Sequence, residues 1–150
     1  MNSKKKIGPE IGPFGKIYTQ FKNKGKQAIK YLMKVKNGEC AKALYRKEIG
    51  YIDIVWGYND PKTNKGCGLK HIIEKHGETI RQRGFNVEDF IPIVVEYGDF
   101  SISEKGEEYL LESKMFRLVI ENKAFGKPKN WILTAFDLKK RTHSKNTKKS

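Results

Sequence analysis

The sequence predicts an α+β fold, in which helices from the first two thirds of the chain pack on one face of an antiparallel sheet formed by the last third. Apolar residues recur at helical spacing before residue 96, and they alternate with polar residues in short runs after residue 99. Helices followed by a meander of strands are typical of this class. The chain has 150 residues, 37% of them hydrophobic, which is enough for one domain with its own core.

The first helix is predicted over residues 21–35, because its apolar positions recur every three or four residues and Asn37-Gly38 follows it. Its polar face carries the lysines Lys22, Lys26 and Lys30. Residues 52–56 alternate as in a strand with one buried face, and Trp56 ends this run.

Two more helices are predicted before residue 96. Residues 69–76 carry an apolar stripe that Gly77 ends. Asn86 then caps a helix through residue 95, although Pro92 is unfavourable inside a helix. A strand over residues 91–95 is therefore the alternative.

The last third is predicted to form short strands over residues 100–104, 109–112, 115–121 and 131–138, with a loop over residues 122–130. We interpret residues 1–13 as a flexible basic lead-in or linker, residues 14–140 as the folded domain and residues 141–150 as a disordered basic tail.

The chain is strongly basic, with a net charge of +14 and an isoelectric point near 9.7. The first 50 residues carry +10, whereas the middle 50, which include two of the three histidines, carry −2. Basic segments on both sides of a nearly neutral one favour contact with a polyanion, most plausibly RNA. No apolar run is long enough to cross a membrane, so we expect no membrane insertion by this domain.

Two histidines are the first candidates for chemistry, His71 and His76. RNA cleavage through the 2′-hydroxyl needs a base, an acid and a group that stabilises charge on phosphorus, and histidine suits the first two tasks near neutral pH. Five residues apart on a regular helix, the two side chains point about 140° away from each other. They can share one phosphate only if the helix bends or ends between them. Otherwise His76 is a core residue and His71 faces solvent.

Arg117 and Thr134 are candidates for phosphate binding, since each lies on the less apolar side of its predicted strand. They share a face of the sheet in only one of the two possible registers, and the sequence leaves that register open. Lys70 and the lysines of the first helix are expected to bind flanking backbone. Trp56 is either a base-stacking platform or a core residue.

A zinc site is a minor alternative, because Cys67, His71 and His76 fall within ten residues and Cys40 could be a fourth ligand. The spacing lacks the close ligand pairs of zinc sites, so we predict no metal and no cofactor. Whether the two cysteines pair is left open.

Six segments of the chain resemble one nuclease family, the barnase–EndoU–colicin–RelE-like (BECR) nucleases, in the branch associated with phages and bacterial toxins. The segments are F-G-K-I-Y-T-Q-F at 14–21, A-I-K-Y-L-M-K-V-K-N-G-E at 28–39, I-G-Y-I-D-I-V-W-G at 49–57, G-C-G-L-K-H-I-I-E-K-H at 66–76, F-R-L-V-I-E at 116–121 and N-W-I-L-T-A-F at 130–136. Cys67 departs from the pattern, where an aromatic or small residue is expected.

The resemblance implies a barnase-like fold with helices before a twisted four-stranded antiparallel sheet. It also implies metal-independent RNA cleavage, with tRNA or another structured RNA as the substrate. His71, Arg117 and Thr134, followed by His76, are the positions it indicates. It further implies delivery as the C-terminal toxin of a larger secreted protein, as in contact-dependent inhibition, action in the target-cell cytoplasm, and neutralisation by a cognate, acidic immunity protein.

Two other classes of protein remain compatible with the sequence. A non-catalytic RNA- or DNA-binding module with structural histidines explains the charge equally well, and it predicts salt-dependent binding without turnover. A domain whose basic face meets an acidic protein partner is the third possibility.

Overall fold

One mixed sheet of eight strands organises the computed structural model, which describes residues 10–138. The strand order is β1-β2-β3-β4-β10-β9-β8-β7, and β5 and β6 form a separate two-stranded ribbon. The bounds of the strands are β1 Glu10–Gly12, β2 Gly15–Tyr18, β3 Glu39–Arg46, β4 Gly50–Val55, β5 Tyr58–Asn59, β6 Gly66–Cys67, β7 Asp99–Ile102, β8 Glu108–Glu112, β9 Phe116–Ala124 and β10 Lys127–Asp137.

The predicted fold, N-terminal helices on a four-stranded antiparallel sheet, is wrong. Two strands precede the first helix, and the sheet contains two parallel pairs, β2 with β3 and β4 with β10. The four strands of the predicted meander do form and pair antiparallel as β7 to β10, but they make up only half of the sheet. Residues 1–9 and 139–150, with most of the predicted lead-in and all of the predicted tail, lie outside the described residues.

A tight turn replaces most of the loop predicted over residues 122–130. Ala124 and Lys127 are cross-strand partners, so only Phe125 and Gly126 connect β9 to β10. Both turn residues have positive φ, 49° and 80°, which matches the twist that a two-residue hairpin needs. The polar composition of this segment conceals a hairpin that cross-strand pairing stabilises.

Strand β3 was missed because a bulge interrupts its alternation. The register between β3 and β4 shifts between Cys40 and Leu44, and Lys42 adopts a left-handed φ of 56° there. The bulge leaves Cys40, Ala43 and Leu44 all buried, a spacing that a regular strand does not produce.

Helix α1 spans Gly25–Val35, four residues shorter than predicted, and buries Ala28, Ile29 and Leu32 against the sheet. Helix α4 spans Val87–Tyr97, which confirms the predicted helix and excludes the strand alternative. Pro92 costs this helix about 3 kcal/mol. Five apolar side chains buried on its inner face offset that cost, each by roughly 1.5–3 kcal/mol, namely Val87, Phe90, Ile91, Val94 and Val95.

The helix predicted to end at Gly77 continues to Gln82 in three pieces. Helix α2 covers Gly68–His71, a π-helical turn covers Ile72–His76, and helix α3 covers Gly77–Gln82. Gly77 has an ordinary helical φ of −58°, so it does not end the helix. None of the helices within residues 10–138 has the length and apolarity needed to cross a membrane.

Gly57, two residues after β4, lies directly against the backbone of Cys67 in β6, and its replacement tests this close contact. A Cβ atom at Gly57 would lie 2.0 Å from the Cys67 carbonyl oxygen, and φ there is 74°. Gly106 has a similar φ of 75° but open space around it. We expect Gly106→Ala to lower the free energy of unfolding by ~1 kcal/mol and Gly57→Ala to lower it by ~3 kcal/mol or more, measured by urea denaturation. Equal losses would show that the close approach does not matter.

Candidate functional site

A π-helical turn brings His71 and His76 together. Its wider hydrogen-bonding pattern, from residue i to residue i+5, aligns side chains five residues apart, whereas a regular α-helix separates them. The two imidazole centroids lie 5.7 Å apart, with the rings nearly perpendicular at 82°. The sequence required the helix to end or bend between the two histidines, and the structure instead brings them together through a π-helical turn.

The end of β4 and the β5–β6 ribbon position this helix. The Lys70 backbone N–H donates to the Trp56 carbonyl oxygen at 2.8 Å, which ties α2 to the residue after β4. Gly68 adopts φ 80°, and a Cβ atom there would lie 2.8 Å from that same oxygen. The first turn of α2 thus packs directly on the strand end, with His71 facing the ribbon.

Asn59 holds the ring of His71. His71 and Asn59 are both buried, with 6% and 7% of their surfaces exposed, and His71 Nδ1 lies 2.7 Å from Asn59 Oδ1. The amide oxygen can only accept, so Nδ1 carries the proton and donates it to this hydrogen bond. The other ring nitrogen, Nε2, is then unprotonated and able to accept a proton in the neutral ring.

Glu74 fixes the direction of the Asn59 amide. Asn59 Nδ2 donates to Glu74 Oε1 at 3.2 Å, and Lys70 Nζ lies 2.8 Å from the other carboxylate oxygen of Glu74. The hydrogen bonds from Lys70 and then Asn59 lower the pKa of Glu74, which keeps this acceptor ionised at neutral pH. A reversed amide would place its oxygen against a carboxylate, so the orientation that holds His71 is the stable one.

His76 packs against the sheet and is neutral at physiological pH. Its ring centroid lies 5.6 Å from that of Phe136 on β10. Burial, followed by the charges of His71 and Lys75, lowers the pKa of His76 to about 4, while Asp137 acts in the opposite direction. Burial and then Lys75 also lower the pKa of His71.

A bulge in β10 places Arg117 and Thr134 on the same face of the sheet. Arg117 pairs with Phe136, and Val119 pairs with Thr134, so the four side chains alternate onto one side. The register shifts between Ile132 and Thr134. Without that shift Thr134 would oppose Leu118 and point to the other face.

Each of these two side chains has a distinct environment. Arg117 forms an ion pair and a hydrogen bond with Glu112, its partner on β8. Thr134 Oγ1 is buried and has no hydrogen-bond partner among residues 10–138. His76 meets this face through Phe136, the cross-strand partner of Arg117. The structure thus brings all four candidate residues to the C-terminal half of β10.

The predicted RNA-binding residues do not form one surface. Lys70 is paired with Glu74 beside the histidines, and Trp56 packs, half-buried, against the main core. Lys26 pairs with Asp89 of α4 at 3.0 Å, and Lys30 is exposed on the same helix, α1. Lys22 precedes α1, and its Nζ lies 5.1 Å from the ring centroid of Tyr51 on β4.

The zinc alternative finds no support in the described part of the chain. No three His, Cys, Asp or Glu residues within it lie close enough to hold a metal ion. Cys40 and Cys67 are both buried and free, and they belong to separate apolar clusters.

The sequence missed Asn59 and Glu74 as site residues. A buried amide beside a histidine gives no pattern in the sequence, because each strand of the ribbon that carries it is only two residues long. Glu74 gives a weak signal, its i, i+4 spacing from Lys70.

The pKa of His76 predicts an acid-sensitive stability. The unfolded ring titrates near 6.5 and the folded ring near 4, so the unfolded state binds more protons between these values. The contribution of His76 is fully present above pH 6.5 and is lost as the pH falls to about 4. We expect the wild type to lose ~2 kcal/mol more than His76→Gln between pH 7 and pH 4 in urea denaturation. Parallel pH curves for the two proteins would contradict the pKa of His76.

One family model matches the chain. It is described as phage-Barnase-EndoU-ColicinE5/D-RelE like nuclease 1, and it matches residues 43–142. The matched segment includes His71, His76, Arg117 and Thr134, and it excludes β1, β2 and α1. No curated protein and no solved structure matches the chain.

Proposed function

Because the chain belongs to this phage-associated nuclease family, we propose that it is an endoribonuclease that cleaves RNA through attack of the adjacent 2′-hydroxyl on phosphorus. The single observation that carries this proposal is the histidine pair, with rings 5.7 Å apart and one ring oriented by a buried amide. Two imidazoles at this distance can serve as the proton acceptor and the proton donor of one transesterification. The net charge of +14 supports a polyanionic substrate.

His71 is the general base in this mechanism. Its Nε2 takes the proton of the 2′-hydroxyl while the 2′-oxygen forms a bond to phosphorus. The hydrogen bond from Nδ1 to Asn59 stabilises the imidazolium that results, because the amide oxygen accepts from a more acidic N–H. Asn59 is thus a positioning residue for the base.

His76 is the general acid. It protonates the 5′-oxygen as the bond from phosphorus to that oxygen breaks, which leaves a 2′,3′-cyclic phosphate and a free 5′-hydroxyl. In the free protein the low pKa of His76 opposes protonation of its ring. A bound phosphodiester raises this pKa, because its negative charge beside the ring stabilises the imidazolium.

Arg117 and Thr134 bind the reacting phosphate. The guanidinium stabilises the charge that develops on the phosphorane oxygens, and the Thr134 hydroxyl donates to one of them. The buried hydroxyl oxygen, without a partner within residues 10–138, supports this role. Glu112 holds Arg117 before RNA arrives, so binding requires the guanidinium to exchange the carboxylate for phosphate.

The biological setting is proposed from the family resemblance alone. On that basis the substrate is tRNA or another structured RNA. The domain acts in the cytoplasm of a target cell, to which it is delivered as part of a larger toxin. A cognate immunity protein with an acidic surface blocks the site, since charge complementarity with the basic chain favours such a complex.

Incubation of the purified protein with total bacterial RNA in EDTA tests the proposal. We expect discrete fragments ending in 2′,3′-cyclic phosphate from the wild type and a loss of at least ~100-fold in rate for His71→Ala. The matched control is His143→Ala, which removes the third histidine outside the described residues and leaves cleavage unchanged. Salt-dependent RNA binding without cleavage at any pH would instead favour the non-catalytic module.

The depressed histidine pKa values predict the pH dependence of cleavage. The active form needs neutral His71 and protonated His76, so kcat/KM is expected to follow a bell-shaped profile with its maximum below pH 6.5. Asn59→Asp places a carboxylate against His71, raises the pKa of the ring and moves the profile upward in pH. A rate that keeps rising above pH 8 would contradict the assignment of the two histidines.

A further inference from the structure

The charges on the sheet are separated between its two ends. Residues 99–112, which contain β7 and β8, hold five carboxylates and one lysine. At the other end, residues 16–36, which lead from β2 through α1, hold seven lysines and no acidic residue. A polyanion bound at the histidines is therefore repelled by the β8 side and attracted toward β3 and β4.

A pair of tyrosines lies on β3 and β4 at this basic end. Tyr45 and Tyr51 are cross-strand partners, with ring centroids 5.1 Å apart. Their neighbours Leu44 and Ile52 are buried in the main core, so the tyrosines project from the opposite face of the sheet. Tyr45 has 53% of its surface exposed, which is a large value for an aromatic side chain.

Two lysines converge on the ring of Tyr51. Lys22 Nζ lies 5.1 Å and Lys42 Nζ lies 5.7 Å from its centroid. They come from different elements, the turn before α1 and the bulge of β3. Cations this close to an aromatic ring gain up to ~1 kcal/mol each at an exposed site.

The bulge that contains Lys42 is strained, and hydrogen bonds from neighbouring residues stabilise it. Lys42 has a φ of 56°, which costs a residue with a side chain about 1–3 kcal/mol. Its backbone N–H donates to Asp53 Oδ1 at 2.8 Å, and its carbonyl oxygen accepts from the Asn23 N–H at 3.0 Å. Lys129 Nζ holds the other oxygen of Asp53 at 2.5 Å. The surroundings thus maintain a conformation that places a lysine over Tyr51.

We propose that Lys22, Lys42, Tyr45 and Tyr51, here named the tyrosine–lysine patch, bind an unpaired stretch of RNA that flanks the cleaved bond. The inference rests on the proposed function and adds to it a substrate class, RNA with single-stranded nucleotides several positions from the cleavage point. Exposed aromatic faces stack on bases only where the bases are unpaired, and lysines between them contact phosphates.

The distance to the histidines agrees with a flanking segment rather than the reacting nucleotide. Tyr51 lies two residues before Asp53, which pairs with Trp131 on β10, and His76 contacts Phe136 further along β10. Because β4 and β10 run parallel, Tyr51 lies level with residue 129 of β10, seven residues before Phe136. Along the strand this is a distance of about 23 Å. Lys22 and Lys42 lie outside the segment that matches the nuclease family, whereas Tyr45 and Tyr51 lie inside it.

Fluorescence anisotropy with a single-stranded, fully 2′-O-methylated oligoribonucleotide tests the patch, because this probe has no 2′-hydroxyl to react. We expect Lys22→Gln/Lys42→Gln to reduce the slope of log K against log salt by about 1.4, the value for two lost phosphate contacts on a single strand. Tyr51→Leu should weaken binding about tenfold. Lys105→Gln/Lys114→Gln, with the same loss of charge at the β7 and β8 end of the sheet, should leave the slope nearly unchanged.

Cleavage assays separate this proposal from the proposed function. Both patch variants should raise KM for a long RNA and leave the cleavage of a dinucleotide unchanged. Equal losses of binding in the two lysine pairs, or unchanged binding by Tyr51→Leu, would overturn the patch even if the wild type cleaves RNA. A wild type that cleaves nothing, but loses binding as predicted, would overturn the nuclease proposal and leave the patch standing.

Discussion

The hydrogen bond between His71 and Asn59 is the interaction on which the candidate site depends. It fixes one of two ring tautomers, and it does so in a buried position where an unpaired donor is costly. Glu74 accepts from the Asn59 amide nitrogen and is itself paired with Lys70, and the π-helical turn places His76 beside His71. Loss of the Asn59 amide removes the contact that selects which nitrogen of His71 can accept a proton.

The fold supports this site from two directions. Close packing at Gly57 and Gly68 ties α2 to the end of β4, and the bulge in β10 turns Thr134 toward the face that carries Arg117. The charged residues are also separated between the two ends of the sheet. Carboxylates gather at β7 and β8, while lysines surround β2, α1 and the bulge of β3. On the proposed function, the reaction, the phosphate-binding residues and the flanking RNA would all lie along β10.

Hydrophobic patterns in the sequence correctly predicted the helices and strands that have regular periodicity. The elements that were missed have irregular backbone or distant pairing partners. The five-residue apolar face of α4 and the alternation in β9 predicted both elements despite Pro92. The eight-stranded sheet was missed because a bulge hides β3, and because parallel pairing between distant strands leaves no local signal. His71 and His76 could be identified as candidates, but their proximity depends on a π-helical turn that a period of 3.6 residues does not predict.

The most direct test of the site is the tautomer of His71, measured by two-bond proton–nitrogen NMR correlations on ¹⁵N-labelled protein at pH 7. We expect a protonated Nδ1 and an unprotonated Nε2 in the wild type, and loss of this single tautomer in Asn59→Ala. A proton on Nε2 in the wild type would rule out His71 as the base, because Nε2 could not then accept the 2′-hydroxyl proton.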